Sequence, residues 1–257
     1  MLFSILQLDF PNLDNTHILQ YADDISIFVT DNSIDTAITK IQNSINTLSN
    51  WYKNIGLNIN QNKTKFMVFT RKKLTRLPSL TLNNNDIQFV TSLKFLGINL
   101  DGPLLTWNTH VKFLVNSSYQ KLNIMKSLTS TKWGAHRNLL NTFYTSYIKS
   151  KFIYGIQVYS SASPTILSKL EIVQNSAIRL ITGLRRSTPI STIQYESNIC
   201  PINTILSKHI IKYFYKILSL PKNHIIHTLF REQLETVERV SWITLSHKTP
   251  LLKRYPI

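Results

Sequence analysis

The spacing of apolar and polar positions divides the chain into a mixed first part and a helical second part. The runs Ile18-Leu19 and Ile25-Ser26-Ile27-Phe28-Val29 flank Tyr21-Ala22-Asp23-Asp24, which predicts a β-hairpin with its acids at the turn. From Ser33 the apolar residues Ile34, Ala37, Ile38, Ile41, Ile45, Leu48, Tyr52 and Ile55 recur at helical spacing, and Gly56 follows as a C-terminal cap. One amphipathic helix of about six turns is expected there. After Gly56 the pattern breaks into short extended pieces at 57–59, 65–70, 80–82, 87–90 and 94–100, with an Asn-rich turn between the third and fourth. The stretch ends at Asp101-Gly102-Pro103, so residues 1–103 read as α+β, with short antiparallel strands on one face of a helix.

Beyond Pro103 the period is helical. Val111, Leu114, Val115, Ser118, Leu122, Met125 and Leu128 form one stripe, and Leu139, Leu140, Phe143, Tyr144 and Tyr147 the next. A third helix is punctuated by Ser163, Pro164 and, past its end, Gly183. A further helix is expected between Pro201 and Leu220, whereas residues 221–257 show no clear period. Three regions result: a mixed domain at 1–103, a helical domain at 104–190 and a helical extension at 191–257.

Charge adds a partner class. The net charge of +16, from 29 Lys and Arg against 13 Asp and Glu, creates a field that attracts polyanions, and nucleic acid leads that class. Between residues 104 and 190 the bases are Lys112, Lys121, Lys126, Lys132, Arg137, Lys149, Lys151, Lys169, Arg179, Arg185 and Arg186, against the single acid Glu171. Such one-sidedness is costly by self-repulsion unless a polyanion lies nearby. The interleaved aromatics Trp107, Trp133, Tyr119, Phe143, Tyr147 and Tyr154 sit mostly at helical spacing, which reads as core rather than base-stacking surface. Arg185-Arg186, just past Gly183, is the leading basic pair for nucleic-acid contact.

Other chemistries find little support. Cys200 is the lone cysteine, which excludes an internal disulfide and a thiolate zinc site, and a reducing, intracellular setting is expected. No apolar run reaches the ~20 residues of a membrane helix, so no membrane partner is expected. His224 and His227 have no evident third ligand, and Glu196, Glu232, Glu235 and Glu238 do not form the carboxylate cluster of a ribonuclease site. Asp23 and Asp24 remain. Nucleotidyl transfer needs two Mg2+ ions held by hard oxygen ligands, and acids on a tight hairpin suit that need; taken alone, an Asp-Asp pair is also an ordinary solvated turn.

The order of several motifs narrows the choice. Tyr21-Ala22-Asp23-Asp24 resembles the palm signature of reverse transcriptases. The segments Gly56-Leu57-Asn58-Ile59-Asn60 with Lys63-Thr64-Lys65, and then Phe95-Leu96-Gly97, resemble the two palm motifs that follow it. Farther on, residues 105–110, Tyr154-Gly155 and residues 170–183 resemble the thumb and following helices of jockey-like non-LTR retrotransposons. The resemblance implies a partial palm followed by a helical thumb and extension. It makes Asp23 a catalytic metal ligand, with Asp24 beside it as secondary ligand or electrostatic support, and it places Tyr21 and Ala22 beneath the primer terminus. Lys63 or Lys65 would protonate the leaving pyrophosphate; a solvated turn lysine is the other reading. Phe95, Leu96 and Gly97 would form the primer grip; ordinary strand core is the alternative.

The resemblance further implies Mg2+, an RNA template, a DNA primer and deoxynucleotides, with work in cytoplasm and nucleus. In that family another metal-binding aspartate and a nucleotide-binding helix come before the hairpin, whereas here only Asp9 and Asp14 precede Asp23. Fingers and the first half of the palm are not in these 257 residues, and polymerisation by them alone is not expected. A non-catalytic nucleic-acid-binding remnant of a retrotransposon protein is the alternative function. Oligomeric state is not legible.

Overall fold

The computed structural model of the protein describes residues 9–13, 16–71, 74, 76–129 and 134–221. Lys132, Trp133, His224, His227, Glu232, Glu235 and Glu238 lie outside these residues. The chain forms two compact units, Met1–Lys94 with Asp101–Leu105, and Phe95–Leu100 with Thr106–Ile257.

In the first unit, β1 (His17–Tyr21) and β2 (Asp24–Phe28) make the expected antiparallel hairpin. Helix α1 (Ile34–Asn54) follows, with Asp35 in its first turn and Lys53 in its last, both matched to the helix dipole. Gly56 ends it at φ 78°, a left-handed stop that glycine adopts without strain. Next come β3 (Lys65–Phe66), β4 (Thr81–Leu82), β5 (Asn85–Asp86) and β6 (Gln88–Phe89). Asn83 and Asn84 turn β4 into β5, both at positive φ, which asparagine tolerates through local hydrogen bonding of its short amide.

Leu80, Leu82 and Ile87 are buried against Ile38, Ile41 and Ile45 of α1, together with Ile59 and Phe66. Gln42 reinforces this packing as a side-chain mimic of a strand. Its Nε2 donates to the Thr81 carbonyl at 2.9 Å and its Oε1 accepts from the Thr81 N–H at 2.8 Å. One expectation fails: β3 and β6 pair in parallel, not antiparallel. A parallel pair needs a long connection, and the residues between these strands, which include the β4–β5 hairpin, supply it.

The second unit is helical after β7 (Ser92–Phe95) and β8 (Ile98–Asp101) carry the chain into it. Its helices are α2 (Asn108–Leu128), α3 (Arg137–Phe143), α4 (Ser150–Ile153), α5 (Ile156–Tyr159), α6 (Pro164–Thr182), α7 (Ile190–Ser197) and α8 (Ile202–Leu218). A π-helical turn, Tyr144–Lys149, joins α3 to α4. The buried residues along this run are Leu140, Tyr144, Ile148 and Phe152, four apart. In an α-helix four residues overshoot a turn by roughly 40°, so three such steps would rotate Phe152 roughly 120° off the face. The wider π turn absorbs the excess. Leu139 and Tyr147, both expected on the apolar stripe, are exposed at 58% and 55%.

One core runs through this unit, from Trp107 and Val111 through Leu170 and Ile178 to Ile193, Ile202 and Leu206. Packing therefore crosses the expected boundary at residue 190 without a break. Among the described residues no helix is long and apolar enough to cross a membrane.

Glu171, the one acid of the basic region, is a structural cap. Its Oε2 accepts from the Ile202 N–H at 2.7 Å, and its Oε1 from Gln194 Nε2 at 2.9 Å. It thus satisfies the first N–H of α8, whose N-cap is Pro201 and supplies no side-chain acceptor. Burial raises the carboxyl above its ordinary value, outweighing the two hydrogen bonds that lower it. An acid with a raised folded pKa holds its proton more tightly when folded, so its contribution to stability is complete below the unfolded value and fades as pH rises through the folded one. Glu171→Ala is expected to cost about 1–2 kcal/mol by loss of the cap, and Glu171→Gln less than about 1 kcal/mol. Glu171→Gln should also flatten the fall in stability above pH 4.5, the side chain's ordinary value. Urea denaturation across a pH series measures both.

Candidate functional site

The β1–β2 hairpin presents Asp23 and Asp24 at its tip. Tyr21 pairs with Asp24 across a two-residue turn of Ala22 and Asp23, and the ladder runs back to His17 opposite Phe28. The far end is anchored: His17 stacks on Phe28 with ring centroids 5.0 Å apart, and Ser44 Oγ of α1 donates to Thr16 Oγ1 at 3.3 Å. The tip is open, with Tyr21, Ala22, Asp23 and Asp24 all exposed. Ala22 sits at φ 53°, a left-handed conformation that costs an L-residue about 1–2 kcal/mol. Asp23 lies in the turn and Asp24 in strand register.

The donor chemistry suits a hard cation, since Mg2+ is commonly held by one or two carboxylates that leave positions for water and phosphate oxygen. Among the described residues, no group of three or more His, Cys, Asp or Glu could hold a metal ion. The hairpin tip thus offers two carboxylates and no third described donor of these types.

Lys63 and Lys65 stand apart from the acids. Lys63 closes a turn whose N–H donates to the Asn60 carbonyl at 3.2 Å, and Lys65 lies in β3; both side chains are exposed. No hydrogen bond or ion pair among the described residues joins either lysine to Asp23 or Asp24.

The structure does bring together Phe95-Leu96-Gly97 and Tyr154-Gly155, motifs far apart in the chain. Leu96 and Gly97 form the turn between β7 and β8 at φ 44° and 81°, successive left-handed residues of the kind a tight hairpin requires. Tyr154 Oη donates to the Leu96 carbonyl at 2.7 Å. Its ring lies against Gly97, where an added Cβ would be 3.2 Å from Tyr154 Cε1. Gly155, itself at φ 64°, leaves room for Ile98, whose Cδ1 would be 2.4 Å from an added Cβ. Each motif is legible in the sequence, but their pairing is not.

Two residues of the motif at 105–110, Trp107 and His110, prove to be packing. Trp107 is buried, caps α2 in left-handed geometry, and donates from Nε1 to Ser161 Oγ at 2.8 Å. His110 is buried edge-on to Tyr159, and its Nδ1 accepts from the Asn99 N–H at 3.3 Å.

The basic side chains divide by what they touch. Arg179 reaches the carbonyls of Thr188 and Arg186 at 3.3 and 3.5 Å, Arg137 donates to the Glu196 carbonyl, and Lys169 donates to Asn108 Oδ1 at 3.2 Å. Arg179 thereby holds the loop that exposes Arg185 and Arg186. Among the described residues from 104 to 190, no basic side chain ion-pairs with a carboxylate. The aromatics correct the sequence reading: Trp107 is core and Phe143 packs against it, but Tyr119, Tyr147 and Tyr154 are exposed at 43%, 55% and 57%. Helical spacing alone does not separate the inner face of a short helix from its flanks.

Residues 2–100 match the family model described as reverse transcriptase (RNA-dependent DNA polymerase). The chain is 26% identical over 222 residues to the probable RNA-directed DNA polymerase from transposon BS of Drosophila melanogaster, covering 83% of this chain and 24% of that protein. It is 27% identical over 190 residues to the RNA-directed DNA polymerase from mobile element jockey of the same species, covering 71% and 20%. The probable RNA-directed DNA polymerase from transposon X-element of that species is 22% identical over 218 residues, covering 83% and 24%. The chain spans about a quarter or less of the length of these curated relatives. No solved structure matches.

Two substitutions test the Leu96–Gly97 turn. Gly155→Ala combines a left-handed φ with a clash against Ile98, and is expected to destabilise the chain by more than the ~1–2 kcal/mol of conformational strain alone. Tyr154→Phe removes one hydrogen bond and should cost about 0.5–1.5 kcal/mol. Denaturant titration ranks them, and the reverse order would show that the turn does not depend on Gly155.

Proposed function

We propose that this chain, which belongs with the reverse transcriptases of non-LTR mobile elements, supplies the catalytic hairpin, primer grip and thumb of an RNA-directed DNA polymerase. The observation that carries this reading is the open tip of the β1–β2 hairpin, where Asp23 and Asp24 stand exposed in a chain matched to that family over residues 2–100. Asp23 is the metal ligand in this assignment and Asp24 its neighbour in charge. Tyr21 and Ala22 face the primer end, and Lys63 serves the leaving group. Mg2+, when bound with deoxynucleotide, lowers the pKa of the primer hydroxyl and neutralises the leaving phosphates. The chain's own part is to present the acids at the hairpin tip and to hold the primer at Phe95, Leu96 and Gly97.

The helical unit is the thumb in this reading, with α7 and α8 as its extension. Arg185 and Arg186 touch backbone phosphate of the RNA template and DNA primer. Their exposure, and the absence of carboxylate partners for the basic side chains described between 104 and 190, support it. In this reading the work falls in cytoplasm and nucleus, as the family resemblance implies.

In this reading the fingers and the first palm aspartate are supplied from outside the 257 residues, so these alone are expected not to extend a primer on RNA. Joined to the fingers and first palm strands of a relative, they should extend it, and Asp23→Asn should then lower the rate by at least about two orders of magnitude at unchanged stability. Normal extension by the joined Asp23→Asn protein would remove Asp23 from the metal site. Nucleic-acid binding by the chain itself should weaken with salt at a log–log slope of roughly −4 on duplex if about five phosphates are contacted. Fluorescence anisotropy over a salt series measures that slope, and a salt-independent affinity would count against the thumb assignment.

A further inference from the structure

Two lysines of the helical unit meet where the fold offers them no counter-charge. Ser117 and Lys121 are one helical turn apart on α2 and so share a face. Lys151 of α4 reaches across to that face, its Nζ donating to Ser117 Oγ at 2.7 Å. This hydrogen bond brings the Lys151 side chain to the helix face that carries Lys121. The contact holds the Lys151 amine below the usual lysine range, through the Lys121 side chain first and partial burial second. Among the described residues, neither lysine ion-pairs with a carboxylate.

Like charges side by side repel, and two flexible lysine stems could swing apart into water. Here the serine hydroxyl keeps one of them in place, and each ammonium retains N–H donors for an acceptor between them. An anion with several oxygens satisfies both charges at once. A tetrahedral phosphate fits better than a carboxylate, because it presents oxygens toward both ammonium groups and carries the charge that the net +16 of the chain attracts.

We propose that Ser117, Lys121 and Lys151 form a phosphate-binding site, separate from the exposed Arg185-Arg186 pair. Its natural ligand is a backbone phosphate of bound nucleic acid; that identification rests on the nucleic-acid reading above, whereas the site itself does not. Ser117 is a positioning residue that fixes Lys151, and the lysines make the contact.

The test uses the full chain as wild type, Lys121→Gln, Lys151→Gln, the double variant, and Lys112→Gln as an exposed control on the same helix. Circular dichroism confirms that each folds. In the first arm, inorganic phosphate is titrated while the lysine side-chain amine resonances are followed by NMR. Saturable shifts at Lys121 and Lys151, and none at Lys112, are expected; no shift at the pair overturns the site.

In the second arm, a labelled duplex is titrated by fluorescence anisotropy across a salt series. The double variant should bind roughly five- to tenfold more weakly at low salt, with a slope flatter by about 0.9 for one lost phosphate contact. Lys112→Gln should change affinity less than twofold. If the double variant behaves like Lys112→Gln on duplex while phosphate still shifts the amines, the ligand is a free phosphate and the backbone identification is overturned. If wild type binds no duplex at low salt, the nucleic-acid reading fails, and the phosphate arm alone decides the site.

Discussion

The helical unit depends on how α6 settles its buried polar side chains. This helix is central, packing on α2, α3, α7 and α8, and it carries Glu171, Gln174 and Asn175 on or beside its inner face. Gln174 is fully buried. Its Nε2 donates to the Cys200 carbonyl at 2.8 Å, and its Oε1 accepts from Tyr144 Oη at 2.7 Å. Gln194 of α7 bridges Glu171 and Asn175, and Glu171 caps α8. A buried donor or acceptor left unmet costs about 1–3 kcal/mol, so these groups admit few alternative packings. Leucines at the same sites would keep the apolar contacts and lose the register between helices. Burial, with the nearby Glu171 charge, pushes the Tyr144 hydroxyl well above its ordinary range, and it acts as a fixed donor.

That frame lets the surface remain one-sided in charge. A fold that pinned its helices by surface ion pairs would neutralise its lysines and arginines. Here the internal hydrogen bonds do the pinning, and the bases that serve structure donate to neutral acceptors: Arg179 and Arg137 to carbonyls, Lys169 to Asn108. Each keeps its full charge while contributing to the fold. The same side chain can therefore brace a loop and add to the field felt by a polyanion, and the two roles do not compete.

Periodicity revealed the long elements because long elements repeat. The stripe from Ile34 to Ile55 became α1, and Pro164 with Gly183 bounds α6 as their backbone preferences require. Asn83-Asn84 was readable as a turn because asparagine is a residue that left-handed turns select. Ala22 and Leu96 were not, since neither is chosen for positive φ and only tertiary structure puts them there. The π turn was equally hidden: Tyr147 fits an α-helical stripe on paper, yet it lies within the widened turn and is exposed. The hairpin acids were legible as a pair, whereas the approach of Tyr154 to Leu96 was not, because no local pattern encodes a contact across 58 positions.

The two hairpins hold their tips in different ways. Each places an L-residue at positive φ, Ala22 at 53° and Leu96 at 44°. Such strain persists only where the surroundings over-determine the conformation. At Leu96 the surroundings are evident: a glycine follows in the same region of φ, and Tyr154 grips the carbonyl. At Ala22 the described residues supply only the strand ladder below it, anchored far from the tip by Ser44 and the His17–Phe28 stack. The Leu96–Gly97 turn is therefore organised in advance by its own unit, whereas among the described residues Asp24 is held by strand register and Asp23 by the two-residue turn it forms with Ala22. A ligand that joins the two carboxylates would add at that tip the constraint that Tyr154 provides at the other, so order at the acids is expected to rise with what they bind.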